Sequence, residues 1–164
     1  MSDDVDPPYL SGDDVLTRIK TMMEWTPQGR ALGIVLERHE GKKVWARVPY
    51  RADLVGDPET GVIAGGVITT SLDQLCGLAT VLAMQTPSTV ATIDIRIDYM
   101  RGAIPGRDVW AEAECIKIGR TVAFVQAIAY EDDASDPIAR ATATFMVNAQ
   151  SKRRIGSNLK PPRT

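Results

Sequence analysis

One stretch of the sequence, residues 60–74, combines two adjacent glycines with a later carboxylate in otherwise apolar surroundings. Gly65 and Gly66 at the start of a predicted helix expose backbone N–H groups beside the positive end of the helix dipole, which favours a developing oxyanion. Asp73, next to Leu72, is costly there unless it is hydrogen-bonded, solvated by a pocket or functional. The stretch therefore indicates an oxyanion site on the same helix as a catalytic carboxylate. The alternative is that Asp73 is an ordinary surface acid facing water.

The spacing of these residues restricts how they could act together. Gly65 and Asp73 are eight residues apart, which at about 1.5 Å per helical residue separates their backbones by roughly 12 Å. An oxyanion donor must lie about 3 Å from the carbonyl oxygen, and a base or nucleophile equally close to the carbon or its attacking water. A joint role therefore requires Gly65 of one subunit to face Asp73 of another.

Other kinds of catalytic site are poorly supported by the sequence. The one histidine, His39, falls in a polar connector, which argues against Ser-His-Asp or Cys-His triads and against histidine-rich metal sites. Neither a P-loop nor a GxGxxG motif is present. Cys76 and Cys115 lie singly in apolar surroundings, as buried reduced thiols do. We expect no metal site and no cofactor.

The composition is that of an ordinary soluble protein. The chain has 164 residues, a net charge of -2 and 44% apolar residues, so nothing attracts it to nucleic acid or to an anionic membrane surface. The acidic start lacks the features of a secretory signal, and no stretch approaches 18 consecutive apolar residues. We expect a cytoplasmic protein, with a flexible N-terminus at 1–12, a single domain at 13–149 and a flexible tail at 150–164.

Hydrophobic periodicity predicts the elements that would position the site. Apolar residues recur every three or four positions between residues 67 and 84, which predicts one long helix, and a short amphipathic helix is expected after Asp14. Six strands are predicted, at 31–37, 44–49, 92–99, 108–117, 120–130 and 138–147. Strict alternation in the third places Thr92 on its polar face. An α+β arrangement, with an antiparallel sheet wrapped on one helix, uses these parts most simply, and its open edges predict a second copy.

In these motifs the chain resembles the hotdog thioesterases of the phenylacetate-degradation (PaaI-type) branch. That family has a His-Gly-Gly triplet and an acid seven residues after the second glycine, and Ala64-Gly65-Gly66 and Asp73 keep this spacing. The likeness covers roughly residues 28–148 and includes three strand segments, Thr92–Arg101, Ile118–Phe124 and Ala139–Phe145. It implies a hotdog fold, in which an antiparallel six-stranded sheet wraps around one long central helix, with a short N-terminal helix.

The resemblance also implies hydrolysis of an acyl-CoA, aromatic or medium-chain, with coenzyme A as part of the substrate. Gly65 N–H would polarise the thioester carbonyl, Asp73 would act as general base or nucleophile, and Thr92 would orient the water. Coenzyme A would cross the interface of a homodimer, or of a homotetramer built as a dimer of dimers. The other candidate binding residues are Ala64 and Gly66 near the oxyanion, Leu72, Cys76 and Met100 along the acyl chain, and Arg101, Lys117 and Arg120, otherwise solvated surface bases, for the phosphates.

Two departures from the family pattern leave alternatives open. Ala64 stands where many relatives have histidine, and Asp57 and Pro58 occupy the neighbourhood of an upstream asparagine. Because the loss of one oxyanion donor lowers the rate by about 10²- to 10³-fold, the alternative is a non-catalytic protein that binds acyl-CoA or acyl-carrier protein. A hotdog hydratase or dehydratase is disfavoured because those enzymes pair an acid with a histidine, and His39 is poorly placed.

Overall fold

A computed structural model shows a six-stranded antiparallel sheet with one long helix against its inner face. The structure describes residues 17, 19–21, 23, 26–84 and 88–147. Its elements in chain order are α1 (Pro27–Leu32), β1 (Val35–Glu40), β2 (Lys43–Val48), β3 (Val55–Asp57), β4 (Val62–Ile63), α2 (Gly65–Ala83), β5 (Val90–Tyr99), β6 (Val109–Ile118), β7 (Val122–Tyr130) and β8 (Ala139–Val147). The predicted α+β hotdog arrangement is confirmed.

The strand order leaves β5 at one edge of the sheet. The six strands are arranged β1-β2-β6-β7-β8-β5, and β3 and β4 form a separate two-stranded ribbon. Within the described part of the chain β5 pairs with β8 alone. One row of backbone N–H and C=O groups along its ten residues is therefore available to another strand.

Small side chains on the inner face of the central strands let α2 lie close to the sheet. Two rows in register across β6, β7 and β8 consist of alanine alone, Ala111-Ala129-Ala139 and Ala113-Ala127-Ala141. In these rows every alanine is at most 4% exposed, and α2 supplies large side chains such as Leu72 and Leu75, both fully buried. At another point the helix supplies the small residue and the sheet the large one. Gly77 of α2 faces Phe145, and a Cβ on Gly77 would stand 3.5 Å from the ring of Phe145. The core thus pairs small residues with large ones, as dense packing requires.

The first predicted hairpin differs from the observed one. Ala31 was predicted to begin a strand but lies in α1. Pro27 at the first turn of that helix and Gly33 at its end, with φ 68°, are the signals that define it. Consequently β1 begins later, and His39, predicted in the connector, lies in β1 opposite Val44. Residues 51–61, which lie between the predicted strand at 44–49 and the predicted long helix, contain a 3₁₀ turn and β3.

The predicted short N-terminal helix agrees with the described residues between 17 and 23, which are helical. Ile19 and Met23 from this segment are buried in the core. The flexible segments predicted at 1–12 and 150–164 lie outside the described residues, and those predictions remain predictions. Helix α2 is long and apolar enough by composition to cross a membrane, but most of it is buried inside the protein, as the core helix of a soluble protein is.

Candidate active site

One side of α2 faces the edge strand β5 and carries the candidate residues. Gly65, Thr69 and Asp73 recur every four residues, so they lie on the same side of the helix. Asp73 contacts Thr92 near the beginning of β5, whereas Gly65 and Thr69 contact Tyr99 at its end. The two ends of this strand therefore mark the two halves of the candidate site.

The Asp73 carboxylate is partly buried and is held by the sheet. Its Oδ1 accepts a hydrogen bond from Thr92 Oγ1 at 2.9 Å. Within the described chain, Thr92 is the one hydrogen-bond partner of Asp73, and no cation lies within salt-bridge distance. Asp73 is thus a fixed acceptor whose second oxygen, Oδ2, is available to water or substrate.

A β-bulge in β5 places Thr92 on the helix side of the sheet. In the pairing with β8, Thr92 lies opposite Phe145 and Asp94 opposite Thr144, so Ile93 is an inserted residue. Directly opposed residues project on the same face, and Phe145 is buried on the helix side. The prediction that Thr92 lies on the polar face with Asp94 was therefore wrong, because the extra residue shifts the alternation by one.

The start of α2 presents backbone donors without side chains that cover them. Gly65 and Gly66 are exposed, and Ala64, the N-cap residue, makes no side-chain cap. No described residue accepts a hydrogen bond from the N–H of Gly65 or Gly66. Strand β3 passes close behind this turn, where a Cβ on Gly56 would stand 2.7 Å from Ala64 Cα. The helix N-terminus therefore offers two amide donors and the positive end of the dipole to an oxyanion.

Tyr99 and Thr69 act on the peptide group between the two glycines. Tyr99 Oη donates a hydrogen bond to the Gly65 carbonyl oxygen at 2.7 Å. Thr69 Oγ1 lies 3.1 Å from the same oxygen and 2.8 Å from Tyr99 Oη. The N–H of this peptide group belongs to Gly66, and hydrogen bonds to the carbonyl polarise the group and strengthen its N–H as a donor. The sequence did not predict this role for Tyr99, because its alternating pattern shows only that Tyr99 lies on the apolar side of a strand.

At the two positions where the family has histidine and asparagine, this chain has no side chain that can donate a hydrogen bond to an oxyanion. Ala64 has no donor, and Asp57 is engaged in its own turn, where it accepts hydrogen bonds from Thr60 Oγ1 at 2.6 Å and from Glu59 N–H at 3.1 Å. These bonds, the one from Thr60 above all, lower the pKa of Asp57. An ionised carboxylate accepts hydrogen bonds and cannot donate them. At these positions only backbone N–H groups can therefore donate hydrogen bonds to an oxyanion.

The predicted acyl-chain residues are not together on one open surface. Leu72 and Cys76 are fully buried in the core, whereas Met100, just after β5, is 54% exposed. Burial, and secondarily the charge of Asp73, raises the pKa of the Cys76 thiol to about 12. Cys76 is therefore a neutral core residue and not a nucleophile.

The three predicted phosphate-binding bases lie at opposite ends of the sheet. Lys117 and Arg120 flank the turn between β6 and β7, at the end where β5 begins near Thr92. Arg101 follows the other end of β5, and its guanidinium lies 2.6 Å from the carboxylate of Glu131. Within one chain these bases do not converge on one ligand.

A separate groove of about 270 Å³ lies on the outer face of the sheet. Glu112, Gln126, Ile128 and Arg140 are among its lining residues, and it includes neither Gly65 nor Asp73. No group of three or more His, Cys, Asp or Glu side chains suited to a metal ion occurs in the described part of the chain. The candidate site of a single chain is thus the open side of α2 and β5.

Comparisons with known proteins identify relatives of this sequence and of its fold. Residues 60–137, which include both glycines and the acid, match the family model described as Thioesterase superfamily. The medium/long-chain acyl-CoA thioesterase YigI of Salmonella typhimurium is 34% identical over 156 residues, which cover 84% of this chain and 97% of that protein. A crystal structure from Pseudomonas aeruginosa is 37% identical, with a TM-score of 0.75, over 81% of this chain and 98% of that one. A putative thioesterase from Ralstonia eutropha JMP134, described as phenylacetic acid degradation-related, shares the fold at 21% identity and a TM-score of 0.66, over 79% and 98%.

Proposed function

Since this chain belongs to the thioesterase superfamily and is a thioester hydrolase, we propose that it hydrolyses an acyl-CoA to a free acid and coenzyme A, with Asp73 as its catalytic carboxylate. The hydrogen bond from Thr92 to Asp73 carries this proposal, because it holds an acid at a fixed place on the helix that begins with Gly65 and Gly66. The name of the YigI relative supports a medium- or long-chain acyl group over an aromatic one.

Asp73 has two chemically consistent roles. As a general base it takes a proton from a water molecule, which attacks the thioester carbon and releases the thiol of coenzyme A. As a nucleophile, its Oδ2 attacks the carbon and expels the thiolate, and water then hydrolyses the resulting anhydride. In both cases the Thr92 hydroxyl fixes Oδ1 and turns Oδ2 toward the substrate.

Backbone amides at the start of α2 would stabilise the oxyanion in either route. Gly65 N–H and Gly66 N–H point out of the helix N-terminus, and the hydroxyls of Tyr99 and Thr69 polarise the peptide group that contains the second of them. This polarisation offsets part of what is lost with Ala64 in place of a side-chain donor.

The site is composite, formed by two subunits that pair along β5. Asp73 lies near the beginning of this strand and Gly65 near its end, so one chain cannot bring both to one thioester. Antiparallel pairing of two β5 edges sets the beginning of one strand against the end of the other. The Asp73 of one subunit then faces the Gly65 of its partner, in a homodimer that can associate further into a dimer of dimers.

The same pairing would bring the predicted substrate-binding residues of the two subunits close together. It brings the Arg101 end of one subunit to the end of the other that carries Lys117 and Arg120, so coenzyme A would lie across the interface. The acyl chain would extend beside α2, between Met100 and the helix side that holds Leu72 and Cys76. The reaction needs no cofactor, and we assign the enzyme to the cytoplasm.

Thiol release from a panel of aromatic, medium-chain and long-chain acyl-CoAs tests the proposal. We expect turnover of at least one class, and the change Asp73→Asn should lower kcat by at least about 100-fold, the contribution of a positioned base. Glu40→Gln is the matched control, because Glu40 is an exposed acid on the opposite edge of the sheet. Unchanged turnover in Asp73→Asn would refute the assigned role.

The second candidate function is a non-catalytic acyl-CoA or acyl-carrier binder, favoured by the absence of a side-chain donor at Ala64. Tight binding of acyl-CoA without thiol release across the whole panel would support it. Hydration of crotonyl-CoA would instead revive a hydratase.

A further inference from the structure

The loop between β5 and β6 runs alongside the segment that leads into α2. Taken in order along the loop, three close approaches join Tyr99 to Gly65, Gly102 to Val62 and Pro105 to Gly61. The first is a hydrogen bond of 2.7 Å to a carbonyl oxygen. At the other two, a Cβ added to the glycine would stand 3.9 Å and 3.3 Å from the neighbouring side chain. The loop therefore follows residues 61–65 in reverse order, away from the start of α2.

Hydrogen bonds hold this loop in one position. The N–H of Met100 donates to the carbonyl oxygen of Ile138 at 2.8 Å. The N–H of Ile104 donates to the buried carboxylate of Glu131, also at 2.8 Å. Arg101 ties the loop to the same carboxylate at 2.6 Å. The side chains that the loop presents are therefore preorganised, which lowers the entropic cost of binding a ligand.

Apolar side chains of this loop are nevertheless exposed to solvent. Met100 is 54% exposed and Ile104 is 42% exposed. Val62 and Ala64, on the segment alongside, are half-buried. These four residues form an apolar strip that begins beside the exposed Gly65. Apolar side chains that are grouped and held in water by a fixed loop are typical of a binding surface.

The apolar strip has a limited length. Residues 61–65, which run beside it, span roughly 13 Å at about 3.3 Å per extended residue. At the far end Gly106, with φ 82°, turns the loop toward β6. The surface there is charged, because Arg107 forms an ion pair with Asp132. An alkyl chain of medium length can lie on the strip, whereas the end of a long chain would pass into water or meet these charges.

The near end of the strip coincides with the place where the thioester would lie in the proposed reaction. The amides of Gly65 and Gly66 would hold its carbonyl oxygen, and the acyl chain starts at that carbonyl. The apolar surface that begins there is therefore the one that the far carbons of the chain can reach once they have passed Met100.

We propose that Ile104 is a specificity-determining residue, which binds the far carbons of the acyl chain on the apolar strip and sets a preference for chains of medium length. The inference rests on the proposed hydrolysis of acyl-CoA and goes beyond it, because it names the residue that measures the chain. Val62 and Ala64 form the floor of the strip. Alanine in place of the family histidine at position 64 keeps this floor apolar.

Binding of thioether analogues of acyl-CoA, which cannot be hydrolysed, tests this assignment. Calorimetry should show that affinity rises by at least about 100-fold from the butyl to the decyl analogue, since each buried methylene can contribute roughly fourfold. From decyl to hexadecyl it should rise by less than about threefold, because the strip has ended. Ile104→Ala should weaken binding of the decyl analogue by about tenfold and leave the butyl analogue within about twofold of wild type.

Ile116→Ala is the matched control, since Ile116 is the same type of residue, is 52% exposed and lines the groove on the outer face of the sheet. It should leave all three affinities unchanged. Ile104→Leu, which keeps the apolar volume, should retain the wild-type dependence on chain length. An equal loss for all three analogues in Ile104→Ala would overturn the assignment. Wild-type protein that binds none of the analogues, or binds them regardless of length, would overturn it as well.

Thiol release from the corresponding thioesters separates this inference from the proposed function. We expect kcat/KM for decanoyl-CoA to fall about tenfold in Ile104→Ala. Wild-type protein that binds the analogues with the expected dependence on length but releases no thiol would refute the hydrolysis and leave the acyl-binding strip standing. Protein that releases thiol with a kcat/KM for decanoyl-CoA unchanged by Ile104→Ala would refute the role of Ile104 and leave the hydrolysis standing.

Discussion

At the scale of single residues, Thr92 connects the proposed catalytic acid to the sheet. Its hydroxyl donates to Asp73 at 2.9 Å, and the bulge at Ile93 turns it toward the helix. Without this bond the carboxylate could rotate about its side-chain bonds, and both its oxygens would exchange with water. In the proposed reaction, the position of this one hydroxyl controls how the Asp73 carboxylate meets the substrate.

Changing Thr92 to valine should lower kcat by about 10-fold with little change in KM, because the hydroxyl is lost while the side-chain shape is kept. Thr92→Ser, which keeps the hydroxyl, should restore most of the activity. Steady-state turnover of the best acyl-CoA substrate measures both changes. Full activity in the valine variant together with a loss in the serine variant would show that the methyl group, and not the hydroxyl, is what matters.

The candidate residues on α2 were predictable because glycines and a lone acid in an apolar helix are conspicuous in a sequence. The contact that fixes the acid was not predictable from the pattern, since no glycine or proline marks the bulge at Ile93. Strict alternation placed Thr92 on the wrong face for this reason. Tyr99 was equally hidden, because its partner is a backbone carbonyl 34 residues away.

At the scale of secondary structure, the end of β5 and the start of α2 act as one unit. Tyr99 Oη joins them through the Gly65 carbonyl, and Thr69 completes a triangle of short contacts. The edge strand therefore sets the orientation of the amide donors, although it contributes none of them.

Tyr99→Phe should lower kcat by about 2- to 10-fold, the effect of losing one neutral hydrogen bond. KM should change less, because the phenyl ring still packs beside Gly65. Tyr130→Phe is the control, since Tyr130 is also the last residue of its strand and follows the buried Ala129, so that it projects on the face opposite α2. A raised KM with unchanged kcat would contradict a role of Tyr99 in polarising the peptide group.

The sequence pattern predicted the long helix and the long strands correctly, but it did not predict the shortest elements. Helix α2 and strands β5 to β8 have enough residues for their periodicity to be unambiguous. Strands β3 and β4 have three and two residues, too few for any alternation, and are held by the helix start they pack against. Helix α1 is six residues long and was not predicted, because its signals are a proline and a glycine at its ends and not an apolar pattern.

At the scale of the whole molecule, a buried ion pair ties the loop after β5 to the end of β7. Glu131, whose side chain is 2% exposed, accepts hydrogen bonds from Arg101 and from Ile104 N–H. Burial acts to raise the pKa of Glu131, but these hydrogen bonds more than offset it, so that its pKa lies below the ordinary value of 4.5. The loop is thereby held where Arg101 leaves the edge strand.

Glu131→Gln should lower the free energy of unfolding at pH 7 by about 2 kcal/mol, since it removes hydrogen bonds to a charged group. Because the folded pKa of Glu131 is depressed, its contribution is complete above about pH 4.5 and is lost as the pH falls through the folded value. Urea unfolding at pH 7 and at pH 3 measures this, and the difference between wild type and variant should shrink in acid. Glu59→Gln, an exposed loop acid, should change neither value; a difference that grows in acid would contradict the assignment.

The two alanine rows limit how such an enzyme could acquire a different range of substrates. A larger side chain in either row would push α2 away from the sheet at a cost of about 1–3 kcal/mol, and would carry the acid and the glycine turn with it. The centre of the molecule is therefore a poor place to enlarge or reshape a binding tunnel. Changes that leave the proposed catalytic residues in place belong on the edge strand β5, where most side chains are exposed to solvent.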